Sequence, residues 1–468
     1  MSRSDYETII GLEIHSELNT STKMFCACPN RFGDTPNTNC CPVCLGMPGA
    51  LPIPNKSAVE LTIMAGLTMG SIINDVAVFE RKNYFYPDLS KSYQISQLVK
   101  PICLGGGITL SSGKTIRLNR IHLEEDAGKL IHGYDTTEVD YNRCGVPLIE
   151  TVTEPDISSS EEAVEFLTKL REKLVFAGIS KCKMAEGGMR VDINVSVKRK
   201  DSPVLGTRTE MKNLNSFRSV ARAIEYEANR QIEELENGNI ILQETRKWDD
   251  DKGVSIALRA KTDSQDYRYF PDPDLLPIRI KRETVERLKT KIPESRDARF
   301  NRYISKYNLP TNDAEILSSS KVISDFYDEC VSILPEYKEI ANWILVDILK
   351  LDFDEVVPIS VDNLVEIVKM VLGKRITRQN GKELLVSVIK TGKNAKNLAN
   401  AMGIISSVSR GEIERIVDEL VDSDKKARAD YATSPDKVMQ YFIGGVMRLT
   451  GGRADGMIVR EILEKKLK

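Results

Sequence analysis

Residues 10–18 read Ile-Gly-Leu-Glu-Ile-His-Ser-Glu-Leu, so apolar and polar side chains alternate along the segment. This period of two is typical of a half-buried β-strand, because successive side chains of a strand point to opposite faces. Glu13, His15 and Glu17 then share the solvated face. Two carboxylates and an imidazole held in a row by a strand are suitable ligands for a divalent metal ion. Taken alone, the three residues fit an ordinary exposed strand equally well.

Histidine is rare in this chain, which has 3 histidines in 468 residues. Two of them, His15 and His122, lie beside carboxylates, the latter in the segment 121–126, Ile-His-Leu-Glu-Glu-Asp. A second acidic segment of this kind can complete a coordination shell. The rarity therefore favours metal binding over an ordinary exposed strand.

The composition is that of a soluble globular protein, with 29% charged and 41% hydrophobic residues, and the length predicts two or three domains. The formal net charge is −2, so any nucleic-acid binding would depend on a local basic patch. No apolar leader opens the chain, and no run approaches the roughly 20 apolar residues that span a membrane. We therefore expect a cytoplasmic protein that does not associate with membranes.

The chain has 9 cysteines, and five of them fall within residues 26–44. In a chain without a secretion signal, clustered thiols more often bind metal than form disulfides. A C-x-C pair and a C-x-x-C pair can deliver four thiolates to a tetrahedral zinc ion, and the best four are Cys26, Cys28, Cys41 and Cys44. Cys40 is left over. The loop between the pairs has no apolar core of its own, which favours a metal clip over incidental buried cysteines.

The hydrophobic patterns predict an α+β fold, with a strand-rich part followed by a helical part. We place a strand-rich domain at residues 1–293, a helical domain at residues 294–400 and a small helical tail domain at residues 401–468.

Two helices are expected within the strand-rich part. Ser159 and Glu162 have the spacing of a capping box, and Gly178 closes the helix that follows. A second helix is expected from about Ser216 to Glu236. In the helical part, we interpret residues 392–409 as a connection.

Two further segments repeat the alternation of residues 10–18. Residues 189–197 place Arg190 and Asp192 on one face, and residues 207–212 do the same for Glu210 and Lys212. In one sheet with Glu13, they would combine carboxylates, which hold metal ions, with cations, which contact phosphate oxygens. A solvated face with ordinary ion pairs remains the alternative.

Residues 81–88 and 266–274 mix aromatic side chains with charges. They fit either packed strand ends before a proline turn or a wall that stacks on a nucleotide or a tRNA end. The sequence contains no phosphate-binding loop of the G-x-x-x-x-G-K-[ST] type. Any use of ATP would therefore follow a different binding mode.

Several short blocks occur in a fixed order, and together they are more specific than any single motif: residues 11–15, 81–88, 93–97, 123–129, 212–217 and 266–273. In this order the chain resembles the B subunits of tRNA-dependent amidotransferases, from its first strand to its tail. The resemblance implies a catalytic cradle domain in the strand-rich part. It also implies ATP-dependent phosphorylation of the side-chain carboxylate of Asp-tRNA(Asn), Glu-tRNA(Gln) or both, followed by amidation with ammonia.

By the same resemblance, the Mg²⁺ ligands are Glu13, His15, Glu125, Glu210 and Asp192, with Glu124 as a further candidate. The resemblance also implies ATP or phosphate contacts for Lys82, Arg190 and Lys212, and catalytic roles for Glu13, His15, Glu125 and Lys82. Strict alternation pairs Glu124 with His122 and points Glu125 away. The assignment of Glu125 therefore requires a bulge or turn nearby.

Ammonia is expected from a partner, because the chain shows no serine-rich amidase signature and no cysteine glutaminase pattern. The resemblance implies a heterotrimer with an amidase-like A subunit and a small C subunit, a four-thiolate zinc site, and a tail that binds tRNA. The related archaeal E subunits carry a synthetase-like insertion, which this chain lacks. The competing hypothesis is a non-catalytic, zinc-containing RNA-binding adaptor.

Overall fold

The computed structural model describes residues 5–260, 267–351, 353, 356–405, 408–432, 434–452 and 454–467. The chain forms two compact units, Met1–Ser295 and Arg296–Lys468. The first unit contains the strands and the second is helical, which confirms the predicted α+β class. The three-part division at residues 293/294 and 400/401 stays a prediction.

The strands of the first unit are β1 (Tyr6–Glu17), β2 (Ile72–Ile73), β3 (Val76–Ala77), β4 (Glu80–Asn83), β5 (Tyr93–Ser96), β6 (Cys103–Leu104), β7 (Gly107–Thr109), β8 (Thr115–Glu125), β9 (Lys129–His132), β10 (Thr137–Asp140), β11 (Pro147–Thr153), β12 (Met189–Arg199), β13 (Thr209–Leu214), β14 (Glu244–Asp249), β15 (Val254–Ala260), β16 (Phe270–Pro271) and β17 (Ile278–Arg279). Ten of them form one sheet, in the order β15-β14-β13-β12-β1-β11-β8-β6-β2, with β7 also paired to β8. The segment at residues 10–18 therefore lies in the middle of the main sheet.

The neighbours of β1 bring the predicted polar segments together. β1 pairs antiparallel with β11 on one side and β12 on the other, and β12 pairs with β13. This confirms the prediction that the segments at residues 10–18, 189–197 and 207–212 belong to one sheet. β13 and β14 pair in parallel, whereas the other pairs of this sheet are antiparallel in the described residues.

The helices of the first unit are α1 (Lys56–Thr68), α2 (Ser160–Phe176), α3 (Phe217–Glu236) and α4 (Arg282–Lys289), with a short 3-10 helix at Met184–Glu186. Ile10, Leu12 and Ile14 on the apolar face of β1 belong to the same buried core as Phe166 of α2 and Val220 of α3. Because this face is filled by helices, the polar side chains of β1 are displayed on the opposite face.

The ends of α2 and α3 follow the predicted capping pattern. Ser159 caps α2 and accepts a hydrogen bond from the Glu162 backbone N–H at 3.2 Å. The Glu162 carboxylate reaches back to the backbone N–H of Ser158 at 2.9 Å, one residue earlier than the capping box predicts. Ser216 caps α3, which ends at Glu236 as expected.

The second unit consists of α5 (Arg296–Ser305), α6 (Thr311–Ser319), α7 (Lys321–Ile333), α8 (Tyr337–Asn342), a π-helix at Trp343–Ile348, α9 (Val361–Leu372), α10 (Arg378–Thr391), α11 (Ala395–Ala401), α12 (Arg410–Ser423), α13 (Lys425–Ala429), a 3-10 helix at Asp430–Ala432, α14 (Pro435–Leu449) and α15 (Gly456–Leu467). The interpretation of residues 392–409 as a mere connection is wrong, because α11 lies there, capped by Asn394. The buried residues form one core from Tyr303 to Ala399 and another from Ile413 to Leu463. Every helix in the described residues is too short or too polar to cross a lipid bilayer.

The packing of α2 on the sheet leads to a prediction about stability. Phe166 is fully buried, so Phe166→Ala is expected to lower the free energy of unfolding of the first unit by about 3–5 kcal/mol. The measurement is urea unfolding followed by the fluorescence of Trp248, in a Trp343→Phe background that silences the only tryptophan of the second unit. Arg171→Ala, on the exposed side of α2, is the control and should change stability by less than about 0.5 kcal/mol. An equal decrease in the free energy of unfolding in both variants would show that the burial of Phe166 does not stabilise the first unit.

Candidate active site

One group of site residues lies where β1, β11 and β8 run side by side. His15 is directly opposite Glu150, and Glu150 is directly opposite His122. His15 Nε2 lies 3.4 Å from Glu124 Oε1 and 3.5 Å from Glu150 Oε2. The ligand atoms of these three residues lie within 4.8 Å of one another, so a single divalent ion can bind all three. We call His15, His122, Glu124 and Glu150 the histidine group.

His122 lies between the two carboxylates of this group. Its Nε2 is 3.6 Å from Glu124 Oε2 and 3.3 Å from Glu150 Oε2. Burial lowers the pKa of His122, but the charges and hydrogen bonds of Glu150 and Glu124 outweigh it and raise this pKa to about 9. Burial acts in the opposite direction on the carboxyls of Glu124 and Glu150 and raises their pKa. The charges and hydrogen bonds of the two histidines outweigh burial, so both pKa values lie below the usual value. The two histidines thus keep both carboxylates ionised, which is the state in which carboxylates bind metal, whereas His15 can bind a metal ion only as a neutral imidazole.

A second group lies beside the first on the same face and consists of Glu13, Asp192, Glu210 and Lys212. We call it the acidic group. Glu13 is directly opposite Asp192, and Lys212 Nζ lies 2.5 Å from Asp192 Oδ2 and 3.2 Å from Glu210 Oε1. Burial, with the charges of neighbouring carboxylates, raises the pKa of Glu13. Burial lowers the pKa of Lys212, and Asp192 and Glu210 outweigh it and raise that pKa. The three carboxylates that surround the Lys212 ammonium offer only oxygen ligands, which Mg²⁺ prefers.

Side chains on neighbouring strands orient three of these carboxylates through hydrogen bonds. Ser96 Oγ donates to Glu124 Oε2 at 2.9 Å, and Asn194 Nδ2 donates to Glu13 Oε1 at 3.0 Å. Thr245 Oγ1 donates to Glu210 Oε2 at 2.7 Å. Ser96 and Thr245 are buried. Donors that hold a carboxylate in this way fix its direction before a metal ion binds, as is common around metal sites.

Lys82 projects from β4 among aromatic rings. Its Nζ lies 5.0 Å from the ring centroid of Tyr267 and 5.9 Å from that of Tyr84. Burial lowers the pKa of Lys82, but the charges of Glu124 and other acidic groups outweigh it and raise that pKa. Because β4 pairs with β16, the two aromatic segments predicted from the sequence come together here. Asp266, at the start of the second segment, lies outside the described residues.

Arg190 lies on the polar face of β12, directly opposite His15. Its Nη2 is 2.7 Å from Asp126 Oδ2, so a carboxylate already holds the guanidinium. Glu17 lies one step further along β1, where burial and the charge of Asp126 raise its pKa to about 7. The structure therefore places Arg190 beside the histidine group and Glu17 at the end of the same face.

The structure does not bring Glu125 into either group. The register of β8 against β11 is regular from Ile121 to Glu125, so the bulge that the assignment required is not there. The Glu125 carboxylate instead pairs with Lys91 and accepts a hydrogen bond from the Ile95 backbone N–H at 3.1 Å. Strand alternation turns Glu124 to the polar face and Glu125 away from it. In the structure Glu124, and not Glu125, therefore lies beside His15, and the assignment of Glu125 as a metal ligand stays a prediction.

Glu150 was missed by sequence reasoning. It lies in β11, whose sequence Pro-Leu-Ile-Glu-Thr-Val-Thr reads as an apolar strand. The available signal was its single charge, because a lone carboxylate in a buried strand must find a partner. Nothing in the sequence pattern marks Ser96 or Thr245 as donors to the site.

The four predicted thiols come together in a separate cluster. The Sγ atoms of Cys26, Cys28, Cys41 and Cys44 lie within 4.8 Å of one another. Cys40 is turned towards Asn142, 3.9 Å from its Oδ1. This is the grouping that the spacing predicts, and it offers the four sulfur ligands of a structural zinc site.

A buried lysine lies against this thiol cluster. Lys23 is fully buried, and its Nζ donates to the backbone oxygen of Asn39 at 2.8 Å and to that of Tyr141 at 3.2 Å. It also lies 3.8 Å from Cys44 Sγ. A hydrogen bond from Cys26 lowers the pKa of Cys44 to about 4, and Lys23 adds to this effect. The ammonium offsets part of the negative charge that four thiolates would carry.

Comparison with known proteins covers nearly the whole chain. Residues 8–286 match the model of the GatB/GatE catalytic domain, and residues 325–467 match the model of the GatB domain. The chain is 47% identical over 472 residues to the B subunit of the aspartyl/glutamyl-tRNA(Asn/Gln) amidotransferase of Ruminiclostridium cellulolyticum, covering 99% of this chain and 97% of the relative. It is 46% identical over 476 residues to the protein of that name from Caldicellulosiruptor saccharolyticus, covering 99% of both chains.

Proposed function

Because the chain belongs to the family of aspartyl/glutamyl-tRNA(Asn/Gln) amidotransferase B subunits, we propose that it carries the site where the aminoacyl end of the tRNA is amidated. The substrates are Asp-tRNA(Asn), Glu-tRNA(Gln) or both. The observation that carries this proposal is that the histidine group and the acidic group share one face of one sheet, beside Lys82 and Arg190. Such a mixture of carboxylates and cations suits phosphoryl transfer.

The first step of the proposed reaction is phosphorylation of the side-chain carboxylate. A carboxylate oxygen attacks the γ-phosphorus of ATP, the bond to the β,γ-bridging oxygen breaks, and an acyl phosphate and ADP result. Both reactants are anionic, so the site must offset their repulsion. Lys82, Arg190 and Lys212 supply fixed positive charge. Mg²⁺ bound by the two groups would neutralise phosphate oxygens and add several kcal/mol of transition-state stabilisation.

The second step is amidation. Ammonia attacks the acyl carbon, the bond to the phosphate oxygen breaks, and the amide, inorganic phosphate and a proton are released. We propose that glutamine hydrolysis in an amidase-like A subunit supplies the ammonia, and that a small C subunit completes a heterotrimer. The relatives are named as B subunits, which supports an assembly of several chains.

The competing hypothesis is a non-catalytic, zinc-containing RNA-binding adaptor. It explains the thiol cluster but gives no reason for the buried carboxylate of Glu124 and the half-buried carboxylate of Glu13, which Ser96 and Asn194 orient. The deciding experiment mixes the chain with its A and C partners, misacylated tRNA, ATP and glutamine. We expect ADP and amidated tRNA in equal amounts. Binding of tRNA without ADP formation would favour the adaptor.

The acidic group and the histidine group lead to a prediction about activity. Glu13→Gln and His15→Ala each remove a proposed ligand, so the rate of ADP formation is expected to fall by about 100-fold or more. Glu161→Gln is the control, because Glu161 lies exposed on α2, behind the apolar face of the sheet. Normal turnover of both ligand variants would exclude these groups as the site.

The choice between Glu124 and Glu125 makes a prediction on metal dependence. Glu124→Gln should raise the Mg²⁺ concentration needed for half-maximal activity by about tenfold or more, because a direct ligand is lost. Glu125→Gln should leave that concentration unchanged, since its carboxylate pairs with Lys91. Titration of activity with Mg²⁺ measures both variants. A shift confined to Glu125→Gln would restore the assignment made from the sequence.

We also propose that the thiol cluster binds one structural zinc ion. Metal analysis of the purified chain should give about one equivalent of zinc, as four thiolates imply. Cys41→Ser should lower the zinc content and the thermal stability, whereas Cys40→Ser should retain both, because Cys40 lies outside the cluster. Absence of zinc from the wild-type chain would refute the proposal.

A further inference from the structure

Lys82 is held differently from the other two cations proposed to contact phosphate. Lys212 pairs with two carboxylates of the acidic group, and Arg190 pairs with Asp126. Within the described residues, no acceptor forms a hydrogen bond or an ion pair with the Lys82 ammonium. Its Nζ instead lies 5.0 Å from the ring centroid of Tyr267, within the range of a cation–π interaction. The ring holds the ammonium and leaves its three N–H donors available to a substrate.

The Tyr267 ring is held in turn through the backbone that carries it. The Asn83 backbone N–H donates to the Tyr267 backbone oxygen at 2.9 Å, and Asn83 Nδ2 lies 3.3 Å from the same oxygen. Asn83 Nδ2 also donates to the Arg268 backbone oxygen at 2.8 Å. The last residue of β4 thus contacts both peptide groups that follow Tyr267.

The backbone at this point needs such support. Arg268 has a φ of +45°, in the left-handed region that residues with a side chain rarely adopt. A conformation of this kind persists only where the surrounding contacts hold it in place. Asn83 supplies contacts on both sides of Arg268, so it stabilises the turn that directs the neighbouring Tyr267 ring.

The other end of the aromatic segment is held by Arg81. Its Nε donates to Asp272 Oδ2 and its Nη2 donates to Asp274 Oδ2, both at 2.8 Å. Since side chains alternate along a strand, Arg81 and Asn83 lie on one face of β4 and Lys82 lies on the other. One face of β4 therefore holds the aromatic segment, while the other presents Lys82.

We propose that Asn83 is a positioning residue for the phosphorylation step, an inference that rests on the proposed function. Asn83 fixes the Tyr267 ring, the ring holds the Lys82 ammonium, and the ammonium meets the phosphate oxygens in the transition state. Without the Asn83 donors, the turn at Arg268 can relax and the ammonium loses the ring that directs it. Phosphorylation would then slow while the substrates still bind.

A purely structural role for Asn83 is the alternative, and the two roles differ in additivity. A residue that acts through Lys82 has no further effect on the rate once the Lys82 ammonium has been removed. A residue that only stabilises the fold lowers the rate by the same factor whether or not Lys82 is present. A double-mutant cycle therefore separates the two roles.

The test measures ADP formation by the full-length chain assembled with its A and C partners. Asn83→Asp keeps the size of the side chain and removes its N–H donors, so kcat should fall by about tenfold. KM for ATP and KM for misacylated tRNA should stay within about twofold of wild type. Lys82→Ala should lower kcat by about 100-fold. In the Lys82→Ala background, Asn83→Asp should change kcat by less than about twofold.

Two further variants complete the test. Asn74→Asp is the matched control, because Asn74 Nδ2 also donates to a backbone oxygen, that of Pro101 at 2.6 Å, but in a loop outside both groups. It should leave kcat unchanged. Tyr267→Leu removes the ring and keeps Asn83, so it should lower kcat as Asn83→Asp does. This variant keeps the proposal testable if Asn83→Asp folds poorly.

Three results would overturn the proposal. An equal effect of Asn83→Asp on kcat with and without Lys82 would leave Asn83 a structural role only. Normal kcat in both Asn83→Asp and Tyr267→Leu would show that the aromatic segment does not position Lys82. A rise in KM for tRNA with normal kcat would assign the segment to substrate binding. Failure of the proposed function would appear differently, as no ADP formation by the wild-type assembly.

Discussion

The register of β1 between β11 and β12 is the constraint on which the site depends. A strand presents alternate residues to opposite faces, so a slip of one residue would move Glu13 and His15 into the core and Leu12 and Ile14 to the surface. The core formed with α2 and α3 prevents this slip, because the apolar face must stay buried. Hydrophobic packing on one face thus fixes the geometry of the charged groups on the other.

Crowded carboxylates are the second organising feature, since like charges in a partly buried site repel. Cations that lie next to the carboxylates offset this repulsion. His15 and His122 offset Glu124 and Glu150, Lys212 offsets Asp192 and Glu210, and Arg190 offsets Asp126. Each cation is therefore part of the electrostatic balance of the sheet as well as a proposed contact for phosphate.

Sequence reasoning succeeded where the physics is local. Alternation predicted the sheet of β1, β12 and β13, capping residues predicted α2 and α3, and cysteine spacing predicted which four thiols meet. At Glu125 the resemblance and the strand alternation disagreed, and the structure follows the alternation, because Glu124 lies beside His15 and Glu125 pairs with Lys91. Sequence reasoning missed Glu150 and Thr245, because their roles arise from pairing between distant strands, which no local pattern encodes. The roles of the site residues stay predictions until the variants are measured.

The parallel pairing of β13 with β14 has a consequence for how the site forms. Two parallel neighbours need a crossover connection, and here α3 provides it. Thr245 lies 35 positions after Glu210 in the chain, so it can donate to the Glu210 carboxylate only after this crossover has closed. The entropy of closing this segment must be offset by the contacts that the crossover brings about. The orientation of Glu210 therefore depends on a helix that contributes no residue to the site.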